Sequence, residues 1–274
     1  MAAALPDGHD LLERAKDLLG YDVKRRVQQV ANRSRPVLPT DLGQPAIFLA
    51  GVISFEEARE RGERFDFLAG HSLGEYTALV AAGSIHFAQG LRLVAARGLY
   101  MHRAGARGAG GMAAVLNVSF EETESVCAET GVALANDNSP NQVVLSGPAE
   151  NLSRAALSVR SLGGRIVRLP IDGAYHSEAM EPAVAELATA LAGTEVRSPE
   201  IPVVSNVSAA PYRAPGEIRK LLARQLTARV RFRESISWLV DNGVTEFVDM
   251  GPGNVVGRLA DATALSHKGV DIHA

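Results

Sequence analysis

The chain has 274 residues, 46% hydrophobic and 22% charged, a globular composition long enough to bury a core without staples. Its 31 acidic residues against 28 lysines and arginines leave a formal charge of −3, without the basic excess of a general nucleic-acid binder. The single cysteine, Cys127, excludes internal disulfides and cysteine-based zinc sites, and no apolar run approaches the roughly 20 residues of a membrane span. The opening MAAALPDGHDLLERAKDLL lacks the charged start and long apolar core of a signal peptide, so the chain reads as cytoplasmic, with no membrane or nucleic-acid partner.

The first forty residues place Leu11, Leu12, Ala15, Leu18 and Leu19 at helical spacing. Residues 45–61 predict a second helix, with Ile47, Ala50, Gly51, Ser54 and Ala58 on one face. Residues 65–69 read as a short buried strand that runs at once into Gly70-His71-Ser72-Leu73-Gly74, and helices follow over 75–82 and 87–103. Strand, tight glycine turn and helix in that order belong to α/β folds.

A glycine-rich stretch, 105–111, reads as a hinge into a different pattern. Residues 112–118 are apolar enough for a strand, and Ser119 with Glu122 makes a capping-box start for a helix through Thr130. Strands at 132–136 and 142–146 flank the turn Asn138-Ser139-Pro140-Asn141, a helix spans 149–162, Gly163-Gly164 stops it, and 165–171 is a further strand. The order β-α-β-β-α-β is the ferredoxin-like unit. Beyond it come helices at 178–191, 217–226 and 236–242, and strands at 201–207 and 245–250, the last entering the turn Gly251-Pro252-Gly253. The expected architecture is a discontinuous α/β domain, 1–111 and 173–274, interrupted by a small α+β subdomain, 112–172.

Gly70-His71-Ser72-Leu73-Gly74 matches G-x-S-x-G, in which a serine on a strand-to-helix turn presents its hydroxyl at the strand's end. The N–H of Leu73 and the start of the following helix then favour a developing oxyanion. The plainer alternative is a chance glycine turn. A nucleophilic serine needs a base, and seven histidines are present. His71 adjoins Ser72, but neighbours on such a turn point different ways. His176 follows the 165–171 strand through a tight connection, while His267 and His273 lie last in the chain, as the base does in serine hydrolases.

Six segments recur in the order and rough spacing of a known family: Gly70 to Tyr76, Arg97-Gly98-Leu99-Tyr100-Met101, Asn138 to Gln142, Gly173-Ala174-Tyr175-His176-Ser177, Gln225-Leu226 and Gly251-Pro252-Gly253. With them the chain resembles, over essentially its whole length, the malonyl-CoA:acyl carrier protein transacylases and the acyltransferases of polyketide synthases. The resemblance implies an α/β-hydrolase-like core with a ferredoxin-like insert, Ser72 as nucleophile, His176 as base, Leu73 as oxyanion donor, and Gln225 as the residue whose backbone carbonyl orients the imidazole. It implies a coenzyme A thioester as substrate, the phosphopantetheine of an acyl carrier protein as acceptor, no bound cofactor or metal, and a monomer. Arg97 shares a helix face with Val94 and Met101, and a cation among apolar residues needs a partner. By the resemblance it holds the free carboxylate of a malonyl group. Gln44, Asn138, Tyr175, Met101 and His71 complete the candidate substrate-binding set.

Two departures stand out. The family's chains open on a strand ending in a Gly-Gln-Gly-Ser-Gln turn whose later glutamine supplies a second oxyanion N–H. These 274 residues hold no such motif, so either the start is truncated or the site works with Leu73 and a substitute. Arg229 stands where the family commonly has proline. Among decoys, 108–113 fits a loose G-x-G-x-x-A but follows a helix and enters a strand, the reverse of a dinucleotide site. Cys127 reads as a small core residue. An editing hydrolase on the same serine, or an inactive docking remnant, are the competing readings; a buried carboxylate clamp favours the transferase.

Overall fold

A computed structural model describes residues 1–32, 37–106, 108, 110–171 and 173–268. Helices α1 (Asp10–Leu19) and α2 (Val23–Ala31) are apolar on one face, through Leu11 and Ala15 in the first and Val23, Val27 and Val30 in the second. Those faces lie against α3 (Thr40–Glu60) and α5 (Phe87–Gly105). Helix α3 begins five residues before the pattern predicts and carries Pro45 inside it. Tertiary packing holds that early turn: a Cβ on Gly98 of α5 would lie 2.9 Å from the Thr40 carbonyl oxygen, so only glycine lets the two helices approach.

Between these helices lie β1 (Leu68–Ala69) and α4 (Gly74–Ala81). After α5 come β2 (Gly110–Leu116), α6 (Phe120–Thr130), β3 (Ala133–Ser139), β4 (Gln142–Pro148), α7 (Ala149–Ser161) and β5 (Arg165–Arg168). The chain returns through α8 (Glu181–Ala192), β6 (Val203–Val204), α9 (Pro215–Arg224), β7 (Val230–Arg231), α10 (Phe232–Asp241) and α11 (Val255–His267). Sheet order β5-β2-β4-β3, with antiparallel pairing throughout, is the ferredoxin-like arrangement. Its core of Val115, Val126, Leu145, Leu152 and Val159 is closed by α6 and α7. A fifth strand, β7, joins in parallel to β3 from well beyond residue 172. The larger core gathers Phe48, Leu49, Leu79, Leu91, Leu187 and Leu222 from α3, α4, α5, α8 and α9.

The strands expected at 65–69 and 201–207 shorten to the two-residue parallel pair β1 and β6. Residues 245–250, expected as a strand, join no sheet among the described residues. A strand is completed only by a neighbour's backbone, so apolar content is not sufficient. Helix α11 follows where sequence pattern stopped at a glycine turn. No described helix is long and apolar enough to cross a membrane. His273 and part of the 105–111 stretch lie outside the described residues.

Candidate active site

Ser72 sits on the turn between β1 and α4 with φ of 50°, in the left-handed region that non-glycine residues rarely occupy. The turn closes because residue 70 is glycine: a Cβ there would lie 2.0 Å from the Gly74 carbonyl carbon. His176 is also left-handed, with φ of 56°. Two strained residues face each other, the Ser72 Oγ lying 2.8 Å from His176 Nε2. His176 Nδ1 lies 2.8 Å from the backbone carbonyl of Gln225, at the C-terminal end of α9. A carbonyl only accepts, so Nδ1 carries the hydrogen and Nε2 turns its lone pair to the serine hydroxyl. Burial, reinforced by the positive charge of Arg97, lowers the His176 pKa to about 3, which keeps the ring neutral at neutral pH. Leu73 precedes the first turn of α4, where backbone N–H groups have no intrahelical acceptor.

Arg97 rises from α5 with 1% of its surface exposed. Its Nη1 donates to Gln44 Oε1 at 2.6 Å, and its Nη2 to both Ser72 Oγ at 2.9 Å and Gln225 Oε1 at 2.8 Å. The Tyr76 ring lies 5.3 Å from the guanidinium, and the Arg97 Nε has no hydrogen-bond partner among the described residues. No carboxylate among them forms an ion pair with it. Burial pulls its pKa down, opposed by Tyr76 and Glu75. Gln44 is itself steered by Thr40 Oγ1 at 2.9 Å and the Met101 sulfur at 3.3 Å.

His71 does not hydrogen-bond to Ser72. It meets Asn138 Oδ1 of β3 at 2.7 Å, and Asn138 in turn donates to Gln142 Oε1 at 2.9 Å. The His71 ring rests 5.3 Å from that of Phe232, and burial lowers its pKa. This contact ties the serine turn to the five-stranded sheet. The Tyr175 ring folds back over Gly173, where a Cβ would lie 2.6 Å from it. Ser72, His176, Arg97, Gln44, Asn138, Tyr175, Met101, His71 and Leu73 all line one cavity of about 1240 Å³; Gln225 stands behind it. His267 is elsewhere, its Nε2 at 2.7 Å from Asp241 on the surface. Arg229 reaches Glu124 of α6 at 3.2 Å, and the Gln225 carbonyl keeps its bond to His176. Burial pushes the Cys127 thiol up to about 11, so it is unreactive. No cluster of three or more metal-ligating side chains occurs among the described residues.

Two residues escaped sequence reading. Asn206, just past β6, spans the serine turn: its Nδ2 donates to the Gly70 carbonyl at 2.6 Å and its Oδ1 accepts from the Ser72 N–H at 2.7 Å. Glu75, fully buried in the first turn of α4, accepts from the Asn206 N–H at 3.1 Å and from the Tyr212 hydroxyl and the Gln225 amide. A glutamate in a first helical turn reads as a dipole partner facing water. Nothing local distinguishes one that points inward.

Fold and site together define a serine acyltransferase frame, and the chain belongs to the acyl transferase domain family, which matches residues 14–271. The malonyl CoA-acyl carrier protein transacylase of Bacillus subtilis is 40% identical over 222 residues, covering 79% of this chain and 70% of that protein. A polyketide biosynthesis malonyl CoA-acyl carrier protein transacylase of Bacillus velezensis is 38% identical over 265 residues, covering 94% and 88%. Among solved structures, the malonyl CoA-acyl carrier protein transacylase of Coxiella burnetii superposes with a TM-score of 0.90 at 33% identity, over 96% of this chain and 86% of that one. A malonyl-transacylase in complex with a type II PKS acyl-carrier protein superposes at 0.88 with 34% identity, over 96% and 88%.

Proposed function

We infer that this chain transfers a malonyl or closely related group from coenzyme A to the phosphopantetheine thiol of an acyl carrier protein, in fatty-acid or polyketide biosynthesis. The observation that carries the reading is Arg97, buried, without a carboxylate partner among the described residues, and 2.9 Å from the hydroxyl that would take the acyl group. The relatives' names point the same way.

In this reading the Ser72 oxygen attacks the thioester carbonyl while its proton passes to His176 Nε2. The tetrahedral oxyanion, met by the Leu73 N–H, collapses, the C–S bond breaks, and coenzyme A leaves with the proton from Nε2. The carrier-protein thiol attacks the serine ester in turn, giving its proton to Nε2, and collapse returns that proton to Ser72. Gln225 holds the imidazole by its carbonyl throughout, so no aspartate is needed. A malonyl ester places its carboxylate one methylene beyond the ester carbonyl, within reach of the Arg97 donors now resting on Ser72. A charge-assisted bidentate pair out of water is worth roughly 30- to 1,000-fold in preference over acetyl. Gln44 and Met101 set the guanidinium, while Tyr175, Asn138 and His71 shape the pocket. Residues 112–172 act as an inserted subdomain closing over the discontinuous domain 1–111 and 173–274. One copy carries every group named, so a monomer suffices, and an unpaired, unreactive cysteine fits the cytoplasm.

Intact-mass spectrometry after mixing with malonyl-CoA tests this. The expected result is one malonyl adduct, absent in Ser72→Ala, that passes to added carrier protein with little malonic acid released. An adduct persisting in Ser72→Ala moves the nucleophile elsewhere, and release mainly as acid makes the protein a hydrolase.

A further inference from the structure

The groups described so far leave one buried charge without a task. Glu75 is fully buried and accepts from the Tyr212 hydroxyl and the Asn206 N–H on Oε1 and from the Gln225 amide on Oε2, with the Ser205 hydroxyl as a further partner. Burial raises the Glu75 pKa, and each of these donors works against that by favouring the ionised form. The same Gln225 side chain accepts from Arg97 Nη2 at 2.8 Å through its other end. A cation and an anion, both buried, are thus joined by one amide oriented head to tail. We propose that Glu75 is the resident counter-ion of Arg97, bridged to it through the Gln225 side chain, and that this bridge holds the guanidinium ready for the acyl carboxylate. The proposal rests on the reading of Arg97 as the carboxylate clamp.

The bridge has a polarity that a single atom can reverse. In Glu75→Gln the new side chain must keep its oxygen at the Oε1 position, because the Asn206 N–H can only donate. Its NH₂ then faces the Gln225 NH₂, two donors without an acceptor. Gln225 relieves this by flipping, which turns its NH₂ toward Arg97 Nη2 and withdraws the bond to the Ser72 carbonyl, now 3.0 Å. The guanidinium loses the Gln225 acceptor and its counter-charge. Gln225→Met cuts the bridge by another route, removing the amide while leaving the backbone carbonyl that orients His176. Glu75 and the Gln225 side chain are positioning groups, acting through Arg97, so their loss should weigh more on acyl groups with a carboxylate than on those without.

The test is a competition between malonyl-CoA and acetyl-CoA, read as the ratio of the two acyl-enzyme masses, with thermal melting to verify folding. In Glu75→Gln and in Gln225→Met the malonyl-to-acetyl ratio should fall by roughly tenfold, the ratio being the readout whatever the absolute loading rate of each variant. A merely structural role would depress both acyl groups together and leave the ratio unchanged. That outcome, or a ratio that rises, overturns the proposal, and Gln225→Met decides it if Glu75→Gln does not fold. Arg97→Ala, run alongside, separates the two claims. If it alone abolishes the preference, the clamp stands and the bridge falls. If it too keeps the preference, the clamp reading falls and takes the bridge with it.

Discussion

Burial holds the His176 imidazole neutral far below the pH at which an exposed ring takes a proton, the guanidinium of Arg97 adding to the effect. Two consequences share that cause. The acid limb of acyl loading should not appear near the ordinary histidine value; the rate should stay level from about pH 7.5 down to about pH 5, as stopped-flow loading with malonyl-CoA would measure. A limb centred near the model-peptide value of about 6.5 would mean that the ring is solvated in the working enzyme. For stability the sign is that of a depressed base. The unfolded chain binds this proton more readily than the native one, so the contribution is complete above the unfolded value and is lost as pH falls toward about 3. Legibility at this scale was uneven. Ser72, His176 and Arg97 stand in sequence motifs and the fold brings their side chains together, but Glu75 and Asn206 were invisible, because inward and outward glutamates in a first helical turn look alike in sequence.

Elements built on local chemistry are those that sequence patterns locate best. Ser119 and Glu122 form the full reciprocal capping box, Ser119 Oγ accepting from the Glu122 N–H at 3.2 Å and Glu122 accepting from the Ser119 N–H at 3.0 Å. Helix α6 is thereby started by two side chains three positions apart. Ser119→Ala should lower unfolding stability by about 1 kcal/mol in urea denaturation while leaving acyl loading untouched, since α6 lies behind the small sheet. A loss of loading in that variant would couple α6 to the site. Elements that need a neighbour fared worse. Strands β1 and β6 are two residues each where apolar runs suggested five and seven, and 245–250 has no ladder at all. Helix α3 grew at its start because α5 packs on it at Gly98.

At the scale of the whole molecule, an ion pair between a buried carboxyl group and a partly exposed guanidinium fastens the five-stranded sheet to the C-terminal helices. Asp137 of β3 is fully buried, accepts from Arg233 Nε of α10 at 2.8 Å, and has no partner for Oδ2 among the described residues. Burial outweighs Arg233 and raises the Asp137 pKa, so the native state holds this proton more tightly than the unfolded chain does. Stability on this account is greatest at low pH and declines as pH rises from the unfolded value through the folded one. Arg233→Ala leaves a buried carboxylate unpaired and should cost about 2–4 kcal/mol at neutral pH, the lower range reflecting a guanidinium one-third exposed. Adding Asp137→Asn should recover most of that loss in urea denaturation; a double variant as unstable as Arg233→Ala alone would assign the cost to packing over Phe120 instead. The sequence by itself determined the βαββαβ order, the serine turn and the family, since periodicity, caps and glycine turns act within a few residues. Only the tertiary structure decided that β7 completes the small sheet, that His71 faces Asn138 rather than Ser72, and that Gln225 joins Arg97 to Glu75. Those side-chain contacts link residues 67 to 150 positions apart, and which buried donor meets which acceptor is settled by packing.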